Sequence, residues 1–407
     1  MRILLASNAT YVPPRGGSTR SNLVWLRALA QAGHDCRVVS AAEEDAPAPV
    51  VERDGVQFHC VREPAERPAS LRRQIESWNP DWVLISSEDL GHILLRQAFN
   101  TAPSRVVYIA HTPQFFPFGP ESWHKDDAAT RLLHSVAGVV VIGHSMADYV
   151  KRHLGLDSAV IHPNIYESPT ASSAAAPSQG NAVTMINPCA VKGISIFTAL
   201  ADRFPSIPFR ALRGWGTTAA DAEMLARRPN VTIAEPVAGI GEELARARVL
   251  LMPSLWFEGF GLIVMEAMLQ GIPVVSSDSG GLLEAKQGTG HVIPVRPIKS
   301  YRREYDGRHM PMAEVPPQDL DPWVDSLELL LRSDEAWHRE SRAAKTVATA
   351  FVNSLDTRAF ERMLSGLEPM KGPETAVRRR LDALTTEQRA QLVRKLREAS
   401  KPACVSS

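Results

Sequence analysis

Two glutamates flank the start of a segment whose residue types could bind a phosphorylated, hydroxyl-rich ligand. Glu258 lies in a glycine-bearing turn after an apolar strand that ends at Met252, and Glu266 lies inside the helix that begins near Leu262. Exposed amides and the dipole at such a helix start favour a bound phosphate. Carboxylates beside an anion are tolerated when they accept hydrogen bonds from neutral hydroxyls. A ligand with a sugar on one side of a diphosphate and a ribose on the other would offer hydroxyls to both glutamates and phosphates to the helix start. By spacing alone, two such glutamates are commonly a solvated helix face.

Two other loops carry residues that could bind the same kind of ligand. Gly16 and Gly17 follow the first apolar strand and open the first helix. Glycine lets the backbone approach a ligand closely, although an isolated Gly-Gly pair is more often a simple turn. Arg20, in the first turn of that helix, could reach an anion or could lie on a solvated face. His111 follows a later apolar strand, where it is either a ligand contact or a structural histidine.

The pattern of apolar runs predicts the elements that must position these residues. Short β-branched runs alternate with helical stretches, which is typical of an α/β fold with parallel strands and helices on both faces. The runs cover residues 3–5, 36–39, 56–58, 82–85, 106–109 and 139–142, and then 183–186, 209–212, 231–233, 249–252, 273–275 and 292–293. Ligands bind beyond the carboxyl ends of such strands, so a cleft between two α/β domains is the expected site.

The composition predicts where the domains end. We expect an N-terminal domain over 1–166, a linker over 167–182, a C-terminal domain over 183–350, a helix over 351–370 that packs back on the N-terminal domain, and a basic amphipathic tail over 371–407. The linker is placed by its Ser, Ala, Pro and Gly content.

Residues 296–322 form a long, proline-rich loop that is either a lid or, as we favour, an excursion. Asp319-Leu320-Asp321 imitates a metal-binding motif, but it precedes Pro322 at a helix start and is interpreted as a cap.

The segment 253–281 resembles the retaining glycosyltransferases of family 4, within the group 1 family, which have the GT-B fold of two Rossmann-like domains facing across a cleft. The resemblance lies in Glu-x7-Glu at Glu258 and Glu266, placed around Gly-Phe-Gly-Leu, and it continues to Gly280-Gly281. It covers about residues 1–366. It implies transfer of a sugar from a nucleotide diphosphate sugar to an acceptor held by the first domain, with no metal or other cofactor.

The resemblance also assigns roles to single residues. Glu258 would hold hydroxyls of the donor sugar, Glu266 the ribose, and Lys192 the charge of the leaving diphosphate. The donor-binding residues implied are Gly16, Gly17, Asn187, Lys192, Arg213, Val237, Glu258, Gly259, Phe260, Gly261, Leu262 and Glu266. The catalytic residues implied are His111, Lys192 and Glu258, and the acceptor-binding residues are Arg20 and His111.

One position departs from the family pattern. The family has an arginine followed five residues later by Lys-Gly; Lys192-Gly193 matches, but Asn187 stands at the arginine position. Charge compensation for the diphosphate is therefore short by one cation. Arg213 could substitute, or it could be an ordinary residue at a strand end.

Charge and cysteine usage exclude several functions. The chain has 45 Lys and Arg against 45 Asp and Glu, which argues against bulk nucleic-acid binding. Its four cysteines include no Cys-x-x-Cys pair, so neither a zinc site nor a disulfide framework is indicated. No apolar run is long enough to span a membrane or to serve as a secretory signal, and we expect a cytoplasmic protein.

The tail suggests a partner. Residues 371–407 hold nine basic and four acidic residues, and 381–392 resemble the docking segments of nonribosomal peptide and polyketide assembly lines. This resemblance favours a specialised metabolite as acceptor and a protein partner for the tail. Two other functions stay open: a GT-B epimerase or cyclitol-coupling enzyme, and a degenerate GT-B binding subunit, which Asn187 would favour. A membrane-lipid acceptor is disfavoured because the first domain has no basic amphipathic stretch.

Overall fold

The computed structural model describes residues 1–14, 16–42, 49–166, 180–237, 239–370, 384–385, 387–389 and 391–392. Most of the predicted linker and of the basic tail lies outside these residues, as do residues 381–383, 386 and 390 of the proposed docking segment. Within them, no helix is long and apolar enough to cross a membrane.

The N-terminal domain is built on one eight-stranded sheet. Its strands are β1 (Arg2–Thr10), β2 (Asp35–Ala41), β3 (Val50–Arg53), β4 (Val56–Val61), β5 (Trp82–Ser86), β6 (Val106–Ala110), β7 (Gly138–Val141) and β8 (Ala159–Val160). Its helices are α1 (Gly17–Gln31), α2 (Arg67–Trp78), α3 (Ile93–Thr101), α4 (Asp127–Leu133) and α5 (His144–Leu154). The strand order is β3-β4-β2-β1-β5-β6-β7-β8, and every pair is parallel except β3 with β4.

The C-terminal domain repeats the plan with a parallel six-stranded sheet. Its strands are β9 (Ala182–Ile186), β10 (Phe209–Leu212), β11 (Val231–Ala234), β12 (Ala247–Met252), β13 (Val274–Ser277) and β14 (Val292–Ile293), in the order β11-β10-β9-β12-β13-β14. Its helices are α6 (Ile194–Arg203), α7 (Ala219–Ala226), α8 (Gly241–Leu244), α9 (Leu262–Leu269), α10 (Leu282–Ala285), α11 (Asp321–Arg332) and α12 (Asp334–Ser354).

The predicted α/β class is confirmed. Every apolar run named above falls in a strand to within one residue, because strands covered by helices on both faces are apolar along their length; all five residues of β5 are buried. The pattern missed β3 and β8, which are short and partly exposed. It also missed an antiparallel hairpin of β15 (Tyr301–Tyr305) and β16 (Pro311–Ala313) inside residues 296–322, whose charged first strand lacks apolar alternation.

The C-terminal helices tie the two domains together. Helix α12 packs on α9 and runs unbroken past residue 350, so the domain boundary expected there falls inside a helix. The next helix, α13 (Ala359–Gly366), lies on the N-terminal domain, where the Phe360 ring stacks 5.0 Å from Trp25 and the Met370 amide donates to the Ser104 carbonyl at 2.8 Å. The carboxyl ends of the two sheets are thereby held against each other.

Side chains make hydrogen bonds at the start of α11 and in the tail. Asp319 accepts a hydrogen bond from the amide of Asp321, the first residue of α11, at 3.1 Å, whereas the N-cap position itself is Leu320 and has no side-chain cap. In the tail, the Thr385 amide donates to Gln388 Oε1 at 2.9 Å, and the Gln388 amide donates to Thr385 Oγ1 at 3.2 Å. This reciprocal exchange is a capping box.

Candidate functional site

Two helix starts meet across the cleft. Helix α1 follows β1 and helix α9 follows β12, and a Cβ placed on Gly17 would lie only 3.1 Å from Leu262 Cδ1. The residues just before them, Gly16 and Gly261, have φ values of +88° and +103°, which favour glycine. Neither helix has a side-chain cap or an acidic residue in its first turn. Their first amides therefore keep their hydrogen-bonding capacity for a bound anion.

A buried ion pair lies beside these helix starts. The Glu258 side chain, 7% exposed, accepts hydrogen bonds at Oε1 from Lys192 Nζ at 2.5 Å, Ser254 Oγ at 2.5 Å and Trp256 Nε1 at 2.9 Å. Lys192 belongs to the 3-10 turn after β9, and its Nζ also lies 4.5 Å from the centre of the Trp256 ring. The turn after β12 and the turn after β9 thus bring together the two charged residues predicted to be catalytic.

The second glutamate of the motif pairs with the other domain. Glu266 of α9 accepts from both terminal nitrogens of Arg20 on α1, with Oε1 2.6 Å from Nη2 and Oε2 3.3 Å from Nη1. The Tyr166 hydroxyl is close to both charges, has no hydrogen-bond partner among the described residues, and has a pKa raised by its burial and by Glu266. The residue predicted for the ribose and a residue predicted for the acceptor therefore form one interdomain contact.

His111 is held in a polar network at the carboxyl end of β6. It is 2% exposed, and its Nε2 lies 2.9 Å from Asn22 Oδ1. Asn22 uses its Nδ2 to donate to Tyr11 Oη at 2.7 Å and Ser86 Oγ at 3.0 Å, so its Oδ1 is the acceptor and Nε2 of His111 carries the proton. The His111 Nδ1 atom is then an acceptor, and no described residue donates to it.

Burial keeps this network uncharged at its centre. It lowers the pKa of His111 below its usual value, against a smaller opposing effect of the Glu88 charge. Glu88 closes the network by accepting a hydrogen bond from Ser86 Oγ. Asn22, Tyr11, Ser86 and Glu88 were missed by the sequence reasoning; the one signal was Asn22, whose amide is buried beside the apolar residues of α1.

The turn between β12 and α9, called the donor turn, contacts the loop of His111 directly. A Cβ on Gly259 would lie 2.3 Å from the His111 carbonyl oxygen, so only glycine allows the two backbones to come this close. Phe260 is 1% exposed and stacks on Phe351 with ring centres 5.6 Å apart. Its side chain is core, which leaves its backbone amide for the predicted ligand contact.

Asn187 stands where the family has an arginine, and its side chain forms a hydrogen bond with the backbone instead of offering a positive charge. It has a φ of +57°, is buried, and accepts the Gly216 amide at Oδ1 over 2.8 Å, while its Nδ2 has no partner in the described part of the chain. Arg213, the suggested substitute cation, donates to Glu235 Oε1 at 2.9 Å at the ends of β10 and β11. Val237, predicted near the base, is 44% exposed in the following loop.

An aromatic cluster, also missed by the sequence reasoning, bridges the cleft next to Glu258. Trp123 of the N-terminal domain lies 6.0 Å from Trp256 and 5.8 Å from Tyr301 of the hairpin, between ring centres. Trp215 lies 5.7 Å from Trp256 and is 45% exposed. The hairpin therefore reaches the cleft rather than leaving the domain as a separate excursion.

Family models match both halves of the chain. Residues 15–165 match the model described as Glycosyltransferase Family 4, and residues 192–302 match that described as Glycosyl transferases group 1. A search of curated proteins by sequence gave no match.

Solved glycosyltransferase structures share the fold. A sucrose-phosphate synthase from Thermosynechococcus elongatus is 17% identical over 98% of this chain and all of its own, with a TM-score of 0.64. The Anabaena HepE protein in complex with UDP-glucose is 16% identical over 90% of this chain and 98% of its own, with a TM-score of 0.65. A glycosyltransferase from Rickettsia africae is 12% identical over 89% of this chain and 96% of its own, with a TM-score of 0.61. The matched models and the two facing α/β domains place this chain among the group 1, family 4 glycosyltransferases with the GT-B fold.

Proposed function

We propose that the protein transfers a sugar from a nucleotide diphosphate sugar to an acceptor bound by the N-terminal domain, with retention of anomeric configuration. The observation that carries this proposal is the meeting of two uncapped helix starts, at Gly17 and Leu262, beside the Lys192–Glu258 pair. That arrangement offers amides and a cation to a diphosphate and a carboxylate to sugar hydroxyls.

The residues would act in the following way. The bond between the anomeric carbon and the diphosphate oxygen breaks with its electron pair leaving on the diphosphate. The acceptor oxygen bonds to that carbon on the same face, and its hydroxyl proton passes to the departing diphosphate oxygen. Lys192 and the amides at the starts of α1 and α9 stabilise the charge that develops on the diphosphate, which is electrostatic preorganisation. Because these groups carry that charge, the transfer step needs no bound metal. Domain closure excludes water and limits hydrolysis of the donor.

Donor entry would redistribute the hydrogen bonds of the charged pairs. Lys192 now donates to Glu258, and Arg20 to Glu266. A diphosphate between the helix starts would compete for Lys192 and free Glu258 to accept from a sugar hydroxyl. A ribose would compete in the same way with Arg20 for Glu266.

UDP-glucose is the first donor to test, because the Anabaena relative was solved with it. A thermal-shift screen against UDP-, GDP-, dTDP- and ADP-linked sugars identifies the donor, since a ligand of the native state raises apparent stability by mass action. Proton NMR of the transferred sugar then gives the anomeric configuration. A stabilising donor and a product of unchanged configuration are expected; an inverted product would contradict the retaining mechanism.

The acceptor we propose is a specialised metabolite, supported by the tail's likeness to assembly-line docking segments. Removing residues 373–407 should then weaken partner binding or lower product yield on a carrier-bound acceptor. Unchanged yield and binding would remove that support.

A binding subunit without transferase activity is the second candidate, and Asn187 is the observation that favours it. It predicts no calorimetric affinity for any of the four nucleotides, whereas the transferase proposal predicts saturable binding of at least one.

A further inference from the structure

A cluster of two histidines and one glutamate joins the domains outside the group of residues assigned to the donor. His144 is the first residue of α5, His162 follows β8, and Glu284 belongs to α10 of the other domain. His144 Nδ1 lies 2.8 Å and His162 Nε2 lies 2.7 Å from the same carboxylate oxygen, Glu284 Oε1. The three candidate ligand atoms all lie within 4.8 Å of one another.

The surroundings fix two of the three side chains. The other carboxylate oxygen, Glu284 Oε2, accepts from the His144 amide at 2.7 Å and the Ser145 amide at 3.4 Å. The His162 ring is held edge-on between Phe260 and Phe351, at 5.1 Å from each ring centre. Hydrogen bonds to the atoms of a metal ligand that face away from the ion commonly fix the orientation of that ligand. The remaining ligand, His144, is 73% exposed and can adjust its ring to an arriving ion.

We propose that His144, His162 and Glu284 bind one divalent ion of the zinc class. Two imidazoles and one carboxylate are a ligand set that Zn²⁺ takes, with a fourth position left to water. Bonds of about 2.0–2.1 Å in tetrahedral geometry separate the ligand atoms by roughly 3.3 Å. The present nitrogen–oxygen contacts need to open by only about half an ångström to admit the ion, which a turn of the exposed His144 ring provides.

The ion would couple the two domains. Both imidazoles belong to the N-terminal domain and the carboxylate to the C-terminal domain, so the bound ion replaces two hydrogen bonds by coordination across the boundary. Gly143, next to His144, packs on the donor turn: a Cβ there would lie 3.2 Å from the Gly259 carbonyl oxygen. Zinc would thus stabilise the closed arrangement of the cleft. It takes no part in the transfer step, and its binding does not depend on the identity of the donor.

Calorimetric titration of the full chain, stripped with a chelator, tests this site. ZnCl₂ should bind with one-to-one stoichiometry and raise the Tm, while MgCl₂ should do neither, because Mg²⁺ prefers oxygen ligands. Co²⁺ should give the visible absorption bands of a four-coordinate site.

Variants decide whether the binding belongs to this cluster. His144→Ala removes an exposed side chain, so the fold should survive, and it should weaken Zn²⁺ affinity at least about tenfold. Glu284→Gln should weaken it as well, while its amide can still accept at the start of α5. His338→Ala, at an exposed histidine of α12, is the matched control and should bind Zn²⁺ as the wild type does. No saturable Zn²⁺ binding, or equal affinity in His144→Ala and wild type, would overturn the proposal.

Discussion

The two sides of the cleft bury polar groups in opposite ways. On the C-terminal side, Glu258 and Lys192 form a buried ion pair. On the N-terminal side, His111 is neutral, and its Nε2 donates to an amide oxygen, Asn22 Oδ1, in a hydrogen-bond network. Removing one member of a buried ion pair leaves an uncompensated charge, whereas removing Asn22 leaves an unpaired dipole. The donor side should therefore be the more sensitive to substitution.

The largest effect is expected from Glu258. Glu258→Ala deletes the carboxylate proposed to hold the sugar and leaves Lys192 without its partner. Transfer should fall roughly 10²- to 10³-fold, the range seen when one preorganised electrostatic contact is lost. Steady-state kinetics with the identified donor measure the loss, and circular dichroism checks the fold. Glu242→Ala, at an exposed glutamate of α8, is the control; equal activity of the two variants would refute the role of Glu258.

Lys192→Ala should come next, because the amides of α1 and α9 still face the diphosphate. If Lys192 and Glu258 act as a unit, the double variant should lose less than the product of the two single losses. A double-mutant cycle on kcat/KM measures this coupling. Fully multiplicative losses would show that the pair does not work as one group.

Substitution of Asn22 probes the neutral side. Asn22→Ala unpairs His111 Nε2 and should lower the free energy of unfolding by roughly 1–3 kcal/mol, the cost of a buried unsatisfied group, as measured by urea unfolding. Asn22→Asp keeps an acceptor for Nε2 but adds a negative charge, which should raise the pKa of His111 from its lowered value. NMR titration of the imidazole reads this shift. A His111 pKa that stays unchanged in Asn22→Asp would contradict the assigned hydrogen bond.

The smallest difference separates the two helix starts. Gly261→Ala adds a Cβ about 2.7 Å from Leu282 Cδ2 to the strain of a positive φ, whereas Gly16→Ala meets nothing within 4 Å and carries the strain alone. The strain costs about 1–3 kcal/mol at each position, and the ψ of 174° at Gly16 lies in a region that is essentially restricted to glycine. Urea unfolding should therefore show a loss of stability in both variants, and a Gly261→Ala protein as stable as the wild type would contradict the packing described here.

The same contrast explains which parts of the site could be predicted from the sequence. Glu258 and Glu266 lie on one turn and on the helix that follows it, so their spacing around Gly-Phe-Gly-Leu predicts a common site. The His111 network collects residues 11, 22, 86, 88 and 111 from separate strands and helices, and the Arg20–Glu266 contact spans 246 positions. Such contacts follow from strand order and domain closure, neither of which leaves a local pattern.

Asn187 shows a second reason why part of the site could not be predicted. From the sequence, Asn187 is interpreted only as the loss of a cation at the arginine position. Its positive φ and its bond to the Gly216 amide give it a structural task that no side-chain pattern reveals.

The central claim is that a nucleoside diphosphate binds between the starts of α1 and α9, beside Lys192. Isothermal titration of UDP, GDP, dTDP and ADP into the wild type, Lys192→Ala and the exposed-lysine control Lys299→Ala tests it most directly. We predict saturable binding of at least one nucleotide. Its affinity should be at least about tenfold lower in Lys192→Ala, because a charge-assisted hydrogen bond contributes about 1.5–3 kcal/mol, and it should be unchanged in Lys299→Ala. Equal affinity in Lys192→Ala and wild type, or no binding of any nucleotide, would contradict it.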